Sequence, residues 1–415
     1  MSGMKRRILL AFVLIGTLAQ LGSAQASECD CQKDMAFLMK KMKKIPAYKV
    51  NKKQVEQSYE QLIDKAETTA SIYDCYVLLS TLALSLNDNH SKIYGQDKGV
   101  TKEILADPEK TSSFKKSSLY HAYPITSMDL DSLRTALHDK AKEEIEGIYY
   151  KDNIITIGVV KEPSTEVYKG IVLETDSPIW RAGEIVYTLI PFGNEYLLNI
   201  AGNLSTKRMI AYTERIGQGF FYYMGLKKDK DQTNYSSAQR SSDTYYREEI
   251  SDNISYIKVG SFNSWYPTLS DAEAFYASLD GNLKKPHLIV DLRNNGGGGD
   301  RNSDILYKLI KDYAKQNHVH VLINHRSVSN AEQFAHKLSK LDHCQLYGQR
   351  TNGTLAYEVK DNSPALPEGH FITVLASKKH SEYLKYESVG ITPDVTLDLE
   401  SDWIDQVVQY ITAME

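Results

Sequence analysis

The stretch His287-Leu-Ile-Val-Asp-Leu-Arg-Asn-Asn-Gly-Gly-Gly-Gly-Asp300 decides how the chain is read. It opens on a nearly continuous apolar run, His287 to Leu292, the pattern of a strand buried on both faces of a parallel sheet. Four consecutive glycines follow. Such a run lets backbone N–H groups approach a ligand closely, in conformations that other residues avoid. It can therefore act as an anion nest or an oxyanion hole. A nucleotide-binding loop needs Gly-Lys-Ser/Thr after its glycines. Asp300 and Arg301 stand there instead, so phosphate binding is disfavoured.

Outward from this loop the pattern is α/β. Ile254 to Val259 reads as a strand and Leu269 to Leu279 as a helix. Ser303 to Tyr313 is a helix, Val319 to Ile323 a strand, Ala331 to Leu338 a helix and Gln345 to Tyr347 a strand. Ser401 to Ile411 reads as a closing amphipathic helix. Strands alternating with helices imply right-handed βαβ units on a mostly parallel sheet. At the next strand-to-helix junction stands Ser327-Val-Ser-Asn-Ala-Glu332. Serine and asparagine are ordinary helix caps. A serine at that junction is also presented at the carboxyl edge of the sheet, where open α/β sheets place ligands. The helix behind it offers unpaired N–H groups. Both loops leave the same sheet edge, so together they make an acyl-transfer layout.

The rest of the chain differs. Residues 32 to 88 read as helices. Ile72 to Leu86 carries a broad apolar face and stops at the polar cluster Asn87-Asp88-Asn89-His90. A helical pattern recurs near Leu130 to Glu144. Short β runs then follow at Gly147 to Tyr150, Ile154 to Val160, Val167 to Glu174 and Glu184 to Ile190. Lys227 to Ser242 reads as a loop or linker. The expected organisation is 1–26 leader, 27–110 helical region, 111–240 β-rich middle domain and 241–415 α/β core.

The chain has 415 residues and a formal net charge of -4, so no global basic field points to nucleic acid. Lys5, Arg6 and Arg7 precede an apolar run, and small residues end it at Ala24 and Ala26. This is the layout of a cleavable export signal. The run is shorter than the roughly 20 residues of a membrane span. Export to a periplasm or the exterior is expected, with no stable membrane span after signal removal. In an oxidising compartment, Cys29 or Cys31 could bridge to Cys75. Oligomeric state is not readable.

Taken together, Leu288-Ile-Val-Asp-Leu-Arg-Asn-Asn-Gly-Gly-Gly298, Val-Ser-Asn-Ala-Glu332 and Gly348-Gln-Arg-Thr-Asn-Gly353 resemble the C-terminal processing (tail-specific) protease family of serine peptidases. Ser-Leu-Asn-Asp-Asn-His90 and Tyr386-Glu-Ser-Val-Gly-Ile-Thr-Pro-Asp394 resemble further motifs of it. The resemblance implies a ClpP/crotonase-like α/β core and a serine-type endopeptidase acting on peptides or proteins without a cofactor or metal. Ser329 would be the nucleophile, three residues before the glutamate. Asn330 and either Gly297 or Gly298 would donate backbone N–H groups to the oxyanion. The family's lysine base falls at Thr354, so a Ser–Lys dyad is missing there. The tricorn-like branch resembles a Ser–His pair with a glutamate and a supporting serine. His90 and Glu387 match the first two, and Asn89 replaces the serine. Neutral imidazole suits proton abstraction near neutral pH. A peptide-binding PDZ module, frequent in the family, is not recognised. The same residues would serve an esterase. An inactive relative could use the cleft to bind peptide or apolar ligands.

Overall fold

The structure, a computed structural model, describes residues 29–192, 196–360 and 364–414. The leader at 1–26 lies outside them. The chain divides into two compact units, 1–232 with 358–379, and 233–357 with 380–415. Among the described residues no helix is long and apolar enough to cross a membrane.

The first unit begins with three helices, α1 (Cys31–Met42), α2 (Pro46–Glu67) and α3 (Ile72–Leu84). Cys31 and Cys75 form a disulfide with Cα atoms 5.5 Å apart, tying α1 to α3; Cys29 is a free, buried thiol. Ser71 caps α3 by accepting from the Asp74 N–H, and ten of the helix's residues are buried. Strand β1 (Lys92–Gly95) follows, then helix α4 (Leu130–Leu137). Six strands form an antiparallel sheet in sequence order: β2 (Gly147–Lys151), β3 (Ile155–Lys161), β4 (Tyr168–Thr175), β5 (Ile185–Phe192), β6 (Tyr196–Gly202) and β7 (Met209–Glu214). Leu133 and Leu137 of α4 pack on Ile171 and Leu173 of β4. β4, β5 and β7 each bury a run of four or five consecutive residues, so both faces are covered there.

Residues 358–379 pack with this first unit, although they fall inside the stretch 241–415 read from sequence as one core. The reason is pairing. Phe371–Val374 forms a strand antiparallel to β1, with Ile93 opposite Thr373. Tyr76 Oη donates to the Ile93 carbonyl, which fastens α3 to the same strand.

The second unit holds the α/β core. Its strands are β8 (Tyr245–Glu249), β9 (Ile254–Val259), β10 (His287–Asp291), β11 (His318–Ile323), β12 (Cys344–Gly348) and β13 (Val395–Thr396), hydrogen-bonded in that order. Only β8 runs antiparallel; β9 through β13 are parallel. Every residue of β9 and of β10 is buried, the expected state of a central parallel strand. Helices α5 (Thr268–Leu279), α6 (Asp300–Tyr313) and α7 (Asn330–Leu338) are the crossovers, and α8 (Trp403–Met414) closes the unit. All five parallel strands end at one edge. The loop after β10 and the loop after β11 are therefore neighbours, because β10 and β11 pair directly.

Candidate active site

The glycine loop is fixed at its root. Arg293 is buried and forks onto Asp291, with Nη2 to Oδ2 at 2.7 Å and Nε to Oδ1 at 2.9 Å. Tyr256 Oη donates to the same carboxylate at 2.8 Å. A bidentate pair of this type holds geometry as well as charge. Further bonds stitch the two loops together. Ser327 Oγ donates to the Leu292 carbonyl at 2.8 Å, and the Val328 N–H donates to the Asn295 carbonyl at 2.9 Å. Asn324 Oδ1 accepts from the Asn294 N–H. Ser327 is fully buried and bonded on both sides, which makes it a structural residue.

Ser329 is different. It is partly exposed, directly before α7, with φ 60° and ψ −122°. A non-glycine residue at this left-handed φ carries strain of about 1–3 kcal/mol and persists only where its surroundings impose it. Nucleophilic serines on sharp strand-to-helix turns show the same strain.

Two candidate backbone donors are the next residue, Asn330, and Gly298, which follows the glycine packed on Ser329. Asn330 is the first residue of α7, where the N–H has no intrahelical acceptor. Gly298 has its N–H unpartnered among the described residues, because the bridge to Phe262 uses the Gly297 carbonyl and the Gly299 N–H. Gly297 departs from the expectation that either glycine could serve. Its N–H donates to Asn295 Oδ1 at 2.8 Å, so it is already taken. What Gly297 supplies is space. A Cβ there would lie 2.6 Å from the Val328 carbonyl, 2.8 Å from Ser329 Cβ and 2.9 Å from the Asn330 nitrogen. At φ +90° it also needs glycine's conformational freedom.

Sequence reasoning named Glu332 only as a motif residue. It is fully buried, and four groups donate to its carboxylate. They are the Ser329 N–H at 3.0 Å, Thr351 Oγ1 at 2.6 Å, the Gly353 N–H at 2.7 Å and the Thr354 N–H at 2.8 Å. Burial pushes its carboxyl up to about 7, and the four donors oppose that shift. The three-residue spacing to Ser329, a capping-box spacing, was the one signal that could have found it.

Glu387 is buried and holds the next part of the same segment. Its Oε2 accepts from the Leu355 and Ala356 N–H groups at 3.0 and 2.7 Å. Gln333 Nε2 donates to the Leu355 carbonyl. The position of the missing lysine thus lies between two buried carboxylates. Thr354 Oγ1 there donates to Asn352 Oδ1 at 2.6 Å, and Asn352 in turn meets His325 Nε2. Ser329, Asn330, Gly297, Gly298, Glu332, Thr354 and Glu387 all belong to the second unit.

His90 belongs to the first unit. It sits in the turn between α3 and β1. Asp88 Oδ1 accepts the His90 N–H at 2.9 Å, and Asp88 Oδ2 accepts from Ser91 Oγ at 2.6 Å. Burial raises the Asp88 carboxyl to about 6. Ser91 Oγ also accepts the Ala376 N–H, which fastens the turn to the strand beside β1.

A parallel sheet presenting a strained serine beside two unpaired N–H donors has the layout of an acyl-transfer enzyme. Residues 253–314 and 302–397, which include both loops, match the sequence model of Peptidase family S41. The resemblance to serine peptidases of the C-terminal processing kind holds over this region. Among solved structures, mature CPAF is similar at 10% identity, over 92% of this chain and 96% of that one, with a TM-score of 0.45. The tricorn protease is similar at 14% identity, over 92% of this chain and 37% of that one, with a TM-score of 0.45. No curated protein matches the chain.

Proposed function

We propose that the chain is an exported serine endopeptidase that hydrolyses peptide bonds through an acyl-enzyme on Ser329. The observation that carries this reading is the strained Ser329 backbone beside the unpartnered Gly298 and Asn330 N–H groups. The Ser329 hydroxyl attacks the peptide carbonyl as a base removes its proton. The Gly298 and Asn330 N–H groups receive the developing oxyanion. The amine leaves with a proton, and water then releases the acyl group. Peptides or proteins are the substrates.

His90 is the proposed base, on its match to the Ser–His branch and on the absence of lysine at Thr354. Glu387 is proposed as the carboxylate that poises the catalytic residues. The basic and apolar leader from Lys5 to Ala26 supports export.

A fluorophosphonate probe tests the reading. Ser329→Ala should abolish labelling and Ser327→Ala, if folded, should retain it. A folded wild-type protein that never labels refutes the acyl-enzyme. His90→Ala should label about 100- to 10,000-fold more slowly, the usual worth of a general base. Added imidazole should restore part of the rate. Labelling by His90→Ala at the wild-type rate removes His90 from the mechanism.

A further inference from the structure

We propose that Glu332 is a positioning residue for catalysis, its carboxylate holding the Ser329 backbone in the strained conformation that aims the nucleophile. This rests on the serine-peptidase reading above.

The geometry is specific. One carboxylate spans two separate pieces of chain: the nucleophile turn and the 351–354 segment. Oε2 is shared by the Ser329 and Thr354 N–H groups, at 3.0 and 2.8 Å. Oε1 is shared by Thr351 Oγ1 and the Gly353 N–H, at 2.6 and 2.7 Å. Both oxygens are therefore filled with donors. The ionised form accepts all four bonds. A protonated carboxyl must turn its O–H toward one of these partners; the Ser329, Gly353 and Thr354 N–H groups cannot accept it, and the Thr351 hydroxyl can do so only by giving up its own donation to the carboxylate. The Ser329 bond is the one that matters, because it ties the residue at φ 60°.

Among the described residues, no lysine, arginine or histidine is a hydrogen-bond partner of Glu332. The groups facing it are the Ser329 N–H from its own turn and three donors from the 351–354 segment. Among the described residues, its hydrogen-bond partners are all neutral dipoles, and it is fully buried. Burying a charge in this way is costly, and its carboxyl is accordingly raised to about 7. A cap of similar shape could be built without burying a charge. The arrangement makes sense if the bonds it fixes are needed for turnover.

Glu332→Gln keeps the shape but places an NH2 group among the donors. If the carboxylate positions Ser329, this variant should fold, bind peptide with little change in KM, and label with fluorophosphonate about 100-fold more slowly, the scale of losing one oxyanion donor. Thr351→Val supplies a second measurement should Glu332→Gln fail to fold. It deletes one donor to the carboxylate and leaves the Ser329 contact intact. The acid limb of the labelling-rate profile should then move to higher pH, because the ionised form is less well solvated. A role confined to stability would leave that limb in place. Folded Glu332→Gln labelling at the wild-type rate, or an unmoved acid limb in Thr351→Val, overturns the positioning role. Wild-type labelling that Ser329→Ala abolishes keeps the parent reading in either case. A wild type that never labels overturns both.

Discussion

Both units bury large charged side chains completely, among them Lys207 in the first and Glu332 in the second. Lys207 Nζ meets both oxygens of Glu184, at 2.9 and 2.7 Å, and the Ile179 carbonyl at 2.8 Å. The rings of Tyr120, Tyr123 and Trp180 surround it, with centroids 4.6, 5.3 and 4.3 Å from Nζ. Burial still lowers the ammonium to about 8, against the pull of Glu184. Among the described residues, Glu332 has no oppositely charged partner. The first charge is neutralised where it sits, and such a pair can be exchanged for apolar residues without loss of fold. The second is met by dipoles whose positions are themselves the product. The difference separates a charge that holds a domain together from one that arranges a site.

The largest effect that would break this comparison is at Lys207. Lys207→Met leaves Glu184 buried, held by the Arg181 guanidinium at 2.9 and 2.6 Å and the Arg181 N–H at 3.0 Å. It should cost about 3 kcal/mol in urea unfolding, the lower end for breaking a buried pair. The folded fraction should label on Ser329 at the wild-type rate. A drop in rate with stability unchanged would reverse the assignment of roles.

The disulfide sharpens the comparison next. Cys31 and Cys75 are separated by 44 residues, and a loop of that size is worth about 2–4 kcal/mol. The double change to serine should lower stability by that amount without altering the pH profile of labelling. Mild reduction of the native protein should reproduce it.

A smaller effect is expected from pH in the second unit. His320 is buried, with Nε2 3.1 Å from His287 Nδ1 and Nδ1 3.2 Å from Tyr347 Oη. Burial first, then His287 and His318, lower its imidazole to about 3. The unfolded chain takes up that proton near pH 6.5, well before the folded one. Stability from this group is thus complete above about pH 6.5 and declines as pH falls toward 3. Urea midpoints measured at pH 7 and pH 5 should differ less in His320→Asn than in wild type. Equal differences would place the acid sensitivity elsewhere.

Much of the core was legible because its information is local. The apolar run at His287 to Leu292, the glycines and the strand–helix alternation are encoded within a few residues of one another. Ile254 to Val259 and Leu269 to Leu279 are read from periodicity alone and are observed as β9 and within α5. Ser329 could be favoured over Ser327 only through the family spacing. The structure adds a reason, since Ser327 Oγ is committed to the Leu292 carbonyl.

The chain by itself determined the main strands and helices of the α/β core, and that a serine and a glycine loop share one sheet edge. Only tertiary structure decided which glycine keeps a usable N–H, because Asn295 takes that of Gly297. It also sent Phe371–Val374 back to β1, across more than two hundred residues of sequence. And it turned Glu332 from a motif residue into the carboxylate shared by Ser329 and Thr354. The physical reason is the same in each case. Periodicity records which face of a segment is buried, whereas a hydrogen-bond donor brought in from a distant segment is assigned only when the chain closes.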